Sequence, residues 1–304
     1  MYLYKNKELF NDLLIRASQD LKINEALLEK DYFVMLLLSE LHKSIPGLLF
    51  KGGTSCSRAY HAIERFSEDI DLSLDLKHLG RTHNINANHK VIEVCDRLGF
   101  KILDRDEVEK HSHGNFNCYY IEYPIVHTFS SVKPYLQVEM TFYIPSYPSE
   151  TKEVSSLLKD YLTSLNRTDI IQEYDLSSFK MSVQTLERTF IDKVFAICDY
   201  YERKEDVRNS RHIYDLYKIY QLIDIHSSSF KDLVHNVRNE RRKNKTCLSS
   251  HEGYKINQTL NKIKNEAYFK HDYNQVTIQL LIKPASYEES IQVLDKIIQS
   301  KSFE

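Results

Sequence analysis

The chain has 304 residues, of which 42% are apolar and 28% are charged, and its formal net charge is −2. This length suggests roughly two domains of about 150 residues, with enough apolar residues for a sizeable core. The near-neutral charge excludes a strongly basic coat for nucleic acid, so any RNA contact has to use a local patch.

Three further features indicate the expected environment of the protein. The five cysteines are scattered and form no CxxC pair, so neither a disulfide framework nor a zinc site is indicated. The longest apolar run, Tyr32 to Leu38, is far too short for a membrane span of about 20 residues. The N-terminal segment lacks the apolar core of a signal peptide. We therefore expect a soluble cytoplasmic protein with reduced thiols and no membrane partner.

The chain is predicted to begin with two helices. Residues 6–19 have amphipathic periodicity, and a second helix runs from Asn24 to Leu41 with an apolar stripe at helical spacing. Asp31 falls on that stripe. We expect it either to favour the helix N-terminus or form a structural ion pair, or to border a functional site together with Lys30.

The most informative stretch, Lys51 to Leu74, is typical of a strand end, a glycine turn, a helix and a second strand. Gly52 and Gly53 allow a tight turn and the close approach of a ligand, because neither residue has a Cβ. Thr54 or Ser55 is predicted to cap the helix that follows. The N–H groups at the start of that helix would form a phosphate site.

Asp69 and Asp71 lie two residues apart in the second predicted strand, so both side chains point to the same face. Paired carboxylates repel each other and favour a hard cation such as Mg²⁺. Each motif alone is weak, and the alternative is a solvent-exposed strand edge with two unrelated acids. Together and in this order, the glycine turn and the two acids predict a nucleotidyl-transfer enzyme.

A third acid is needed to deprotonate the attacking hydroxyl or to complete the metal shell. Glu139 is the candidate, because it lies in an otherwise apolar predicted strand where an unpaired charge would be costly. An outward-facing strand residue is an equally open alternative, and Glu122 is a weaker candidate for the same role.

The first half is predicted to be a mixed α/β sheet domain, with a helix from Asn86 to Leu98. Three more strands are predicted at Phe100–Leu103, Asn115–Val126 and Tyr135–Ile144. Pro145 and Pro148 mark a break, which gives two domains: a nucleotidyltransferase core over residues 1–150 and a helical domain over 151–304. Helices of the second domain are predicted at 152–165, 183–203, 210–222, 228–238 and 254–266, and after a capping box at Ser286.

Two candidates for chemistry lie on these later helices. Lys193 lies beside an apolar stripe and either extends its amine to water or reaches the nucleotide phosphates. Asp215 is four residues from Arg211, so an intrahelical ion pair is one interpretation. The other is that Asp215 faces the cleft as a metal ligand, a base or an orienter of Lys193. The most basic segment comprises Arg238, Arg241, Arg242, Lys243 and Lys245, and is either a solvated helix end or a local phosphate-backbone contact.

These segments resemble the AbiEii/AbiGii toxin family of nucleotidyltransferases, distant relatives of the DNA polymerase beta superfamily. The resemblance covers most of the chain and rests on Glu29–Leu41, Phe50–Leu74, the helix that contains Lys193, and Arg211–Tyr217. It implies that Asp69 and Asp71 bind Mg²⁺ and that Lys193 and Asp215 match the later family motifs. The residues that would hold the nucleoside triphosphate are Lys51, Gly52, Gly53, Thr54, Ser55 and Arg58.

The resemblance also implies a function. Family members are typically toxins of bacterial toxin–antitoxin or abortive-infection systems, and they transfer a nucleotide from an NTP to RNA. Their target is tRNA where one is known, which blocks translation, and the partner is an antitoxin that often does not bind directly. The alternatives are nucleotide transfer to a protein or small molecule, and a non-catalytic nucleotide-binding protein. We further predict that the helices of Lys193 and Asp215 close over the Gly52–Gly53 turn.

Overall fold

The computed structural model describes residues 1–74, 82–103, 105–106, 116–130, 132–142 and 147–304. Contacts divide the chain into two compact units. The first consists of Met1–Tyr60 and Phe66–Val183, and the second of His61–Arg65 and Gln184–Glu304. A short segment from the N-terminal half thus belongs to the second unit. The domain boundary after residue 150 stays a prediction.

A mixed sheet forms the centre of the first unit. Its strands within the described residues are β1 (Leu48–Lys51), β2 (Asp69–Leu74), β3 (Lys101–Ile102), β4 (Phe116–Glu122), β5 (Leu136–Thr141), β6 (Ser149–Val154) and β7 (Phe179–Gln184). Their order in the sheet is β3-β4-β5-β2-β1-β7-β6. The central strand β2 is antiparallel to β1 and parallel to β5.

Helices cover the sheet because their apolar residues need burial. Those of the first unit are α1 (Lys7–Leu21), α2 (Glu25–Ser44), α3 (Gly52–Arg58), α4 (Thr82–Leu98), α5 (Leu157–Ser164) and α6 (Thr168–Glu173). The helix α2 contacts β2 and β5 and is buried on most of its circumference, with Leu28, Phe33 and Leu37 fully inaccessible. This burial places α2 in the core of the first unit, together with its charged residues Lys30 and Asp31.

The second unit is helical in the described residues. Its helices are α7 (Leu186–Arg203), α8 (Arg211–Tyr220), α9 (Ser228–Arg241), α10 (Ile256–Asn265), α11 (Lys270–Asp272), α12 (Ile278–Leu280), α13 (Tyr287–Ser290) and α14 (Val293–Ser300). The long helix α7 packs against α8, α9 and α10 and buries the predicted stripe, including Phe190, Val194 and Ile197. Nowhere in the described ranges is there a helix with the length and apolar character needed to cross a membrane.

The predicted fold class, a mixed sheet with a mostly helical C-terminal part, is confirmed. The predicted helix over 152–165 is wrong at its start, because residues 152–154 belong to β6 and the helix begins at Leu157. The strand β6 lies at the edge of the sheet and is mostly polar, so it has no apolar alternation to reveal it. The strand β7 was likewise not predicted. Asn115, residues 143–144 and Pro145 lie outside the described residues.

Candidate active site

The predicted acids share one face of the sheet. In the register of β2 and β5, Asp69 pairs with Gln137 and Asp71 pairs with Glu139. Register partners on neighbouring strands point to the same side of a sheet. Along β5 the apolar residues are buried and the polar ones, including Gln137 and Glu139, are half-buried. The structure therefore brings Asp69, Asp71 and Glu139 together on one half-buried face, which we call the carboxylate face.

The glycine turn lies beside this face. Lys51, the last residue of β1, pairs in register with Asp71, and its Nζ lies 3.2 Å from Thr141 Oγ1. Gly52 follows with a φ of +79°, a value that favours glycine. A Cβ on Gly52 would lie only 1.9 Å from Asp71 Oδ2. The turn therefore leaves room for the second acid.

The hydroxyl groups of α3 do not cap it, and that prediction is wrong. The helix begins at Gly52 with Lys51 as its N-cap residue and without a side-chain cap. Thr54 Oγ1 lies 2.5 Å from the Asp69 carbonyl oxygen, and Ser55 Oγ donates to the Gly52 carbonyl at 2.9 Å. Both side chains are buried, so they fix α3 against β2 and the turn. Their contact with a nucleotide stays a prediction.

Arg58 is buried at the end of α3, and its Nε lies 3.6 Å from Asp31 Oδ1 on α2. The other Asp31 oxygen accepts the backbone N–H of Leu157 at 2.6 Å, at the start of α5. Burial raises the pKa of the Asp31 carboxyl, while Arg58 opposes that rise. This is the structural ion pair that was one of the two interpretations of Asp31. Nucleotide binding by Arg58 stays a prediction.

A chain of hydrogen bonds joins the carboxylates to a lysine that the sequence did not suggest. Lys133 Nζ lies 2.8 Å from Asp69 Oδ1 and donates to Gln137 Oε1 at 2.8 Å. Gln137 Nε2 in turn donates to Glu139 Oε1 at 2.6 Å. Because Lys133 lies before β5, outside any periodic element, only the tertiary fold reveals its contact with Asp69.

Lys30 on α2 stabilises the segment that carries Lys133. Its side chain is fully buried, and Nζ donates to the backbone carbonyls of Lys133, at 2.7 Å, and of Tyr135. The same Nζ lies 3.5 Å from Glu68 Oε2, which also accepts the Lys133 backbone N–H at 2.9 Å. Burial lowers the pKa of Lys30 to about 8. Lys30 thus borders the carboxylate face by holding the segment that carries Lys133.

The second unit contains its own buried charge cluster. Asp215 on α8 is fully buried, and Lys193 Nζ on α7 lies 2.6 Å from its Oδ2. Arg65 binds the same carboxylate through both oxygens, with Nε–Oδ1 at 2.6 Å and Nη2–Oδ2 at 2.7 Å. The predicted approach of these residues to the Gly52–Gly53 turn stays a prediction.

The buried charge cluster determines the ionisation of Asp215 and therefore its role. Although burial opposes ionisation, Arg65 and Lys193 hold the pKa of Asp215 well below its usual range. A carboxylate so strongly stabilised is a poor base, and its oxygens already accept hydrogen bonds from two cations. The geometry favours Asp215 as the orienter of Lys193. No local pattern indicates Arg65, because its partner lies 150 positions away in the chain.

The arginines of the basic segment form hydrogen bonds with other residues of the second unit. Arg238 donates to the Phe303 carbonyl at 2.6 Å, Arg241 to Asp199 at 2.9 Å, and Arg242 to the Ser250 carbonyl at 3.2 Å. The following lysines, Lys243 and Lys245, are exposed. Contact with a phosphate backbone stays a prediction for this segment.

The carboxylate face fits a hard divalent cation in its donor chemistry. Among the described residues, no three Asp, Glu, His or Cys side chains already meet as a metal cluster. Mg²⁺ is commonly bound by one or two carboxylates together with substrate phosphates, without an all-protein cage. Asp69 and Asp71 supply such oxygens on one face, and the ammonium of Lys133 already occupies a cation position at Asp69.

Comparison with solved structures identifies the fold of the chain. MenT4, a nucleotidyltransferase toxin from Mycobacterium tuberculosis H37Rv, superposes with a TM-score of 0.57 and 16% sequence identity. The match covers 94% of this chain and 88% of MenT4. At this identity the likeness shows a shared fold. The chain therefore has the fold of a nucleotidyltransferase-like toxin.

A family model identifies the protein family of the chain. The model described as "Nucleotidyl transferase AbiEii toxin, Type IV TA system" matches residues 36–295. The chain thus belongs to the AbiEii nucleotidyltransferase toxin family. It is a nucleotidyltransferase and the toxin of a type IV toxin–antitoxin system, with an NTP as substrate and an antitoxin as partner. No curated protein matches the sequence. The predicted family and enzyme class are confirmed.

Proposed function

We propose that the protein transfers a nucleoside monophosphate from an NTP to an RNA acceptor, that this acceptor is tRNA, and that the reaction requires Mg²⁺. One observation carries the proposal: Asp69, Asp71 and Glu139 share one half-buried face beside the Gly52 turn. We place the reaction in the cytoplasm, where NTPs and tRNA are found. Block of translation through the modified tRNA is the proposed toxic effect.

In this mechanism the acceptor hydroxyl oxygen forms a bond to the α-phosphorus of the NTP, and pyrophosphate leaves. Bound Mg²⁺ would neutralise the phosphate charge that develops during the transfer. Asp69 and Asp71 are proposed to hold it, and the Gly52 turn to bring the backbone close to the triphosphate. Glu139 is proposed to accept the hydroxyl proton, since Asp215 is buried and already stabilised by two cations. Lys193 is proposed to stabilise phosphate charge.

Labelling separates this proposal from the two alternatives. The protein is incubated with Mg²⁺, each α-labelled NTP and total cellular RNA, and the products are resolved by size. Label on a tRNA-sized band that disappears in Asp69→Ala supports the proposal. Label on protein or on a small molecule would support a different acceptor, and NTP binding without product would support a non-catalytic role.

Toxicity is tested separately. Expression of the wild-type chain is expected to arrest growth, whereas Asp71→Ala is expected to be harmless at equal protein levels. The control is Glu122→Gln, an exposed acid on β4 that should remain toxic. Growth arrest by Asp71→Ala would contradict the proposed mechanism.

A further inference from the structure

Lys133 lies at the carboxylate face, through its contact with Asp69, and is not among the residues that the resemblance assigns to the site. Its Nζ is 2.8 Å from Asp69 Oδ1, in a pair whose side chains are only 17% and 13% exposed. Such partial shielding from water strengthens an ion pair compared with one at the open surface. The lysine thus neutralises one of the two carboxylates proposed to hold the metal.

The backbone of Lys133 is held independently of its side chain. Its N–H donates to Glu68, which is 4% exposed, and its carbonyl accepts from the fully buried Lys30. Both bonds go to backbone atoms, so they persist when the lysine side chain changes direction. The ammonium group can therefore change position while the backbone of Lys133 stays in place.

We propose that Lys133 is the counter-ion of Asp69 in the nucleotide-free protein and exchanges Asp69 for the triphosphate when metal and nucleotide bind. This inference rests on the proposed function. An ammonium group and a divalent cation on the same carboxylate repel each other, so Lys133 opposes metal binding while no nucleotide is present. The triphosphate offers the displaced ammonium a new anionic partner, because lysine binds phosphates as a point charge. Lys133 thereby makes metal binding depend on nucleotide.

Gln137 completes the exchange. It accepts from Lys133 and donates to Glu139, so it lies between the lysine and the third carboxylate. When the ammonium group moves to the triphosphate, the Gln137 amide still holds Glu139. The exchange therefore removes the Lys133 ammonium from Asp69, where the cation is proposed to bind, and leaves the proposed base in place.

The test compares two equilibria in Lys133→Met and in the charge-matched control Lys90→Met. Lys90 lies on α4, 2.6 Å from Glu93, and its side chain is 45% exposed. Binding of Mn²⁺ without nucleotide is followed by the electron paramagnetic resonance of the free ion. Binding of α,β-methylene analogues of the four NTPs is measured by equilibrium dialysis at saturating Mn²⁺.

The two equilibria are expected to shift in opposite directions. Lys133→Met should bind Mn²⁺ without nucleotide on the order of tenfold more tightly than the wild type, because a like charge has been removed. It should bind the preferred analogue on the order of tenfold more weakly, because a phosphate contact has been lost. Lys133→Arg and Lys90→Met should resemble the wild type in Mn²⁺ binding.

Other results overturn the inference in distinguishable ways. Equal Mn²⁺ affinity in Lys133→Met and the wild type would show that Lys133 does not compete for Asp69, and the proposed function would stand. Weaker binding of both Mn²⁺ and the analogue would show that Lys133 only supports the fold of the site. If a folded Lys133→Met is not obtained, Lys133→Gln is measured with the same expectations. Absence of Mn²⁺ binding in all variants, even with nucleotide, would overturn the metal-dependent function as well.

Discussion

The Asp71 carboxylate packs directly against the Cα of Gly52. A Cβ at this position would lie 1.9 Å from Asp71 Oδ2 and 2.7 Å from its Cγ. Gly52 also has a φ of +79°, which L side chains rarely adopt. Position 52 therefore requires glycine for two separate reasons, its backbone conformation and the space taken by the acid. The glycine turn and the pair of acids are one structural feature.

Gly52→Ala is expected to reduce nucleotidyl transfer strongly by displacing the Asp71 carboxylate. A misplacement of about 1 Å at a reacting centre costs on the order of a hundredfold in rate. The matched control is Gly99→Ala, where φ is +74° but no atom lies within 4 Å of the added Cβ. Both variants bear the backbone strain, of order 1 kcal/mol, and only Gly52→Ala should lose activity.

Thermal melting and NTP labelling of the two variants check this expectation. Activity of Gly52→Ala equal to that of Gly99→Ala would contradict the assigned role of the turn. A loss of activity in both variants would show that general destabilisation, and not displacement of Asp71, lowers the activity.

Asp215→Asn is expected to destabilise the second unit strongly. The carboxylate balances Arg65 and Lys193, whose side chains are 2% and 6% exposed. Removing one member of a buried ion cluster costs about 3–5 kcal/mol, because the remaining charges stay buried without compensation. The control is Asp295→Asn on α14, which loses a half-buried pair with Lys264, with both side chains more than a third exposed, and should cost at most about 1 kcal/mol. Urea unfolding measures both, and equal losses would contradict a structural role for the cluster.

Stability is expected to respond to pH through Lys30. Burial lowers its pKa to about 8, below the usual lysine value of 10.5. Between these values the unfolded chain binds a proton that the folded protein has released, so the free energy of unfolding rises with pH. Lys30→Met lacks this contribution. The difference in unfolding free energy, wild type minus Lys30→Met, should therefore increase from about pH 7 to about pH 9.5.

Urea unfolding at both pH values tests the sign of this change in unfolding free energy. Lys90→Met is the charge-matched control. A difference that stays constant or falls with rising pH would show that the pKa of Lys30 is not lowered in the folded protein.

The sequence predicts the residues whose signal is local and periodic. Asp69 and Asp71 alternate with Ile70 and Leu72, and Glu139 alternates with Val138 and Met140, so strand periodicity placed all three acids on strands. Their common face required the β2–β5 register, which no local pattern determines.

The sequence does not predict contacts between residues that are distant in the chain. Lys133 precedes its strand, and Arg65 lies in a loop far from Asp215 in the chain, so neither has a periodic neighbour that indicates a partner. The cap assigned to Thr54 was wrong for a related reason. Its hydroxyl faces the Asp69 carbonyl on β2, a partner that exists only once the strands have paired.

Glu139→Gln is expected to reduce nucleotidyl transfer without loss of stability. The amide keeps the shape and the hydrogen bond to Gln137 but is unable to accept a proton, and a general base contributes on the order of 10²–10⁴ in rate. Glu122→Gln provides the control, since Glu122 is exposed near the end of β4 and was the weaker candidate for this role. The initial rate of labelling at saturating NTP and acceptor distinguishes the two. Undiminished activity in Glu139→Gln, or an equal loss in Glu122→Gln, would leave the third carboxylate of the face without a catalytic role and would require another group to take the proton.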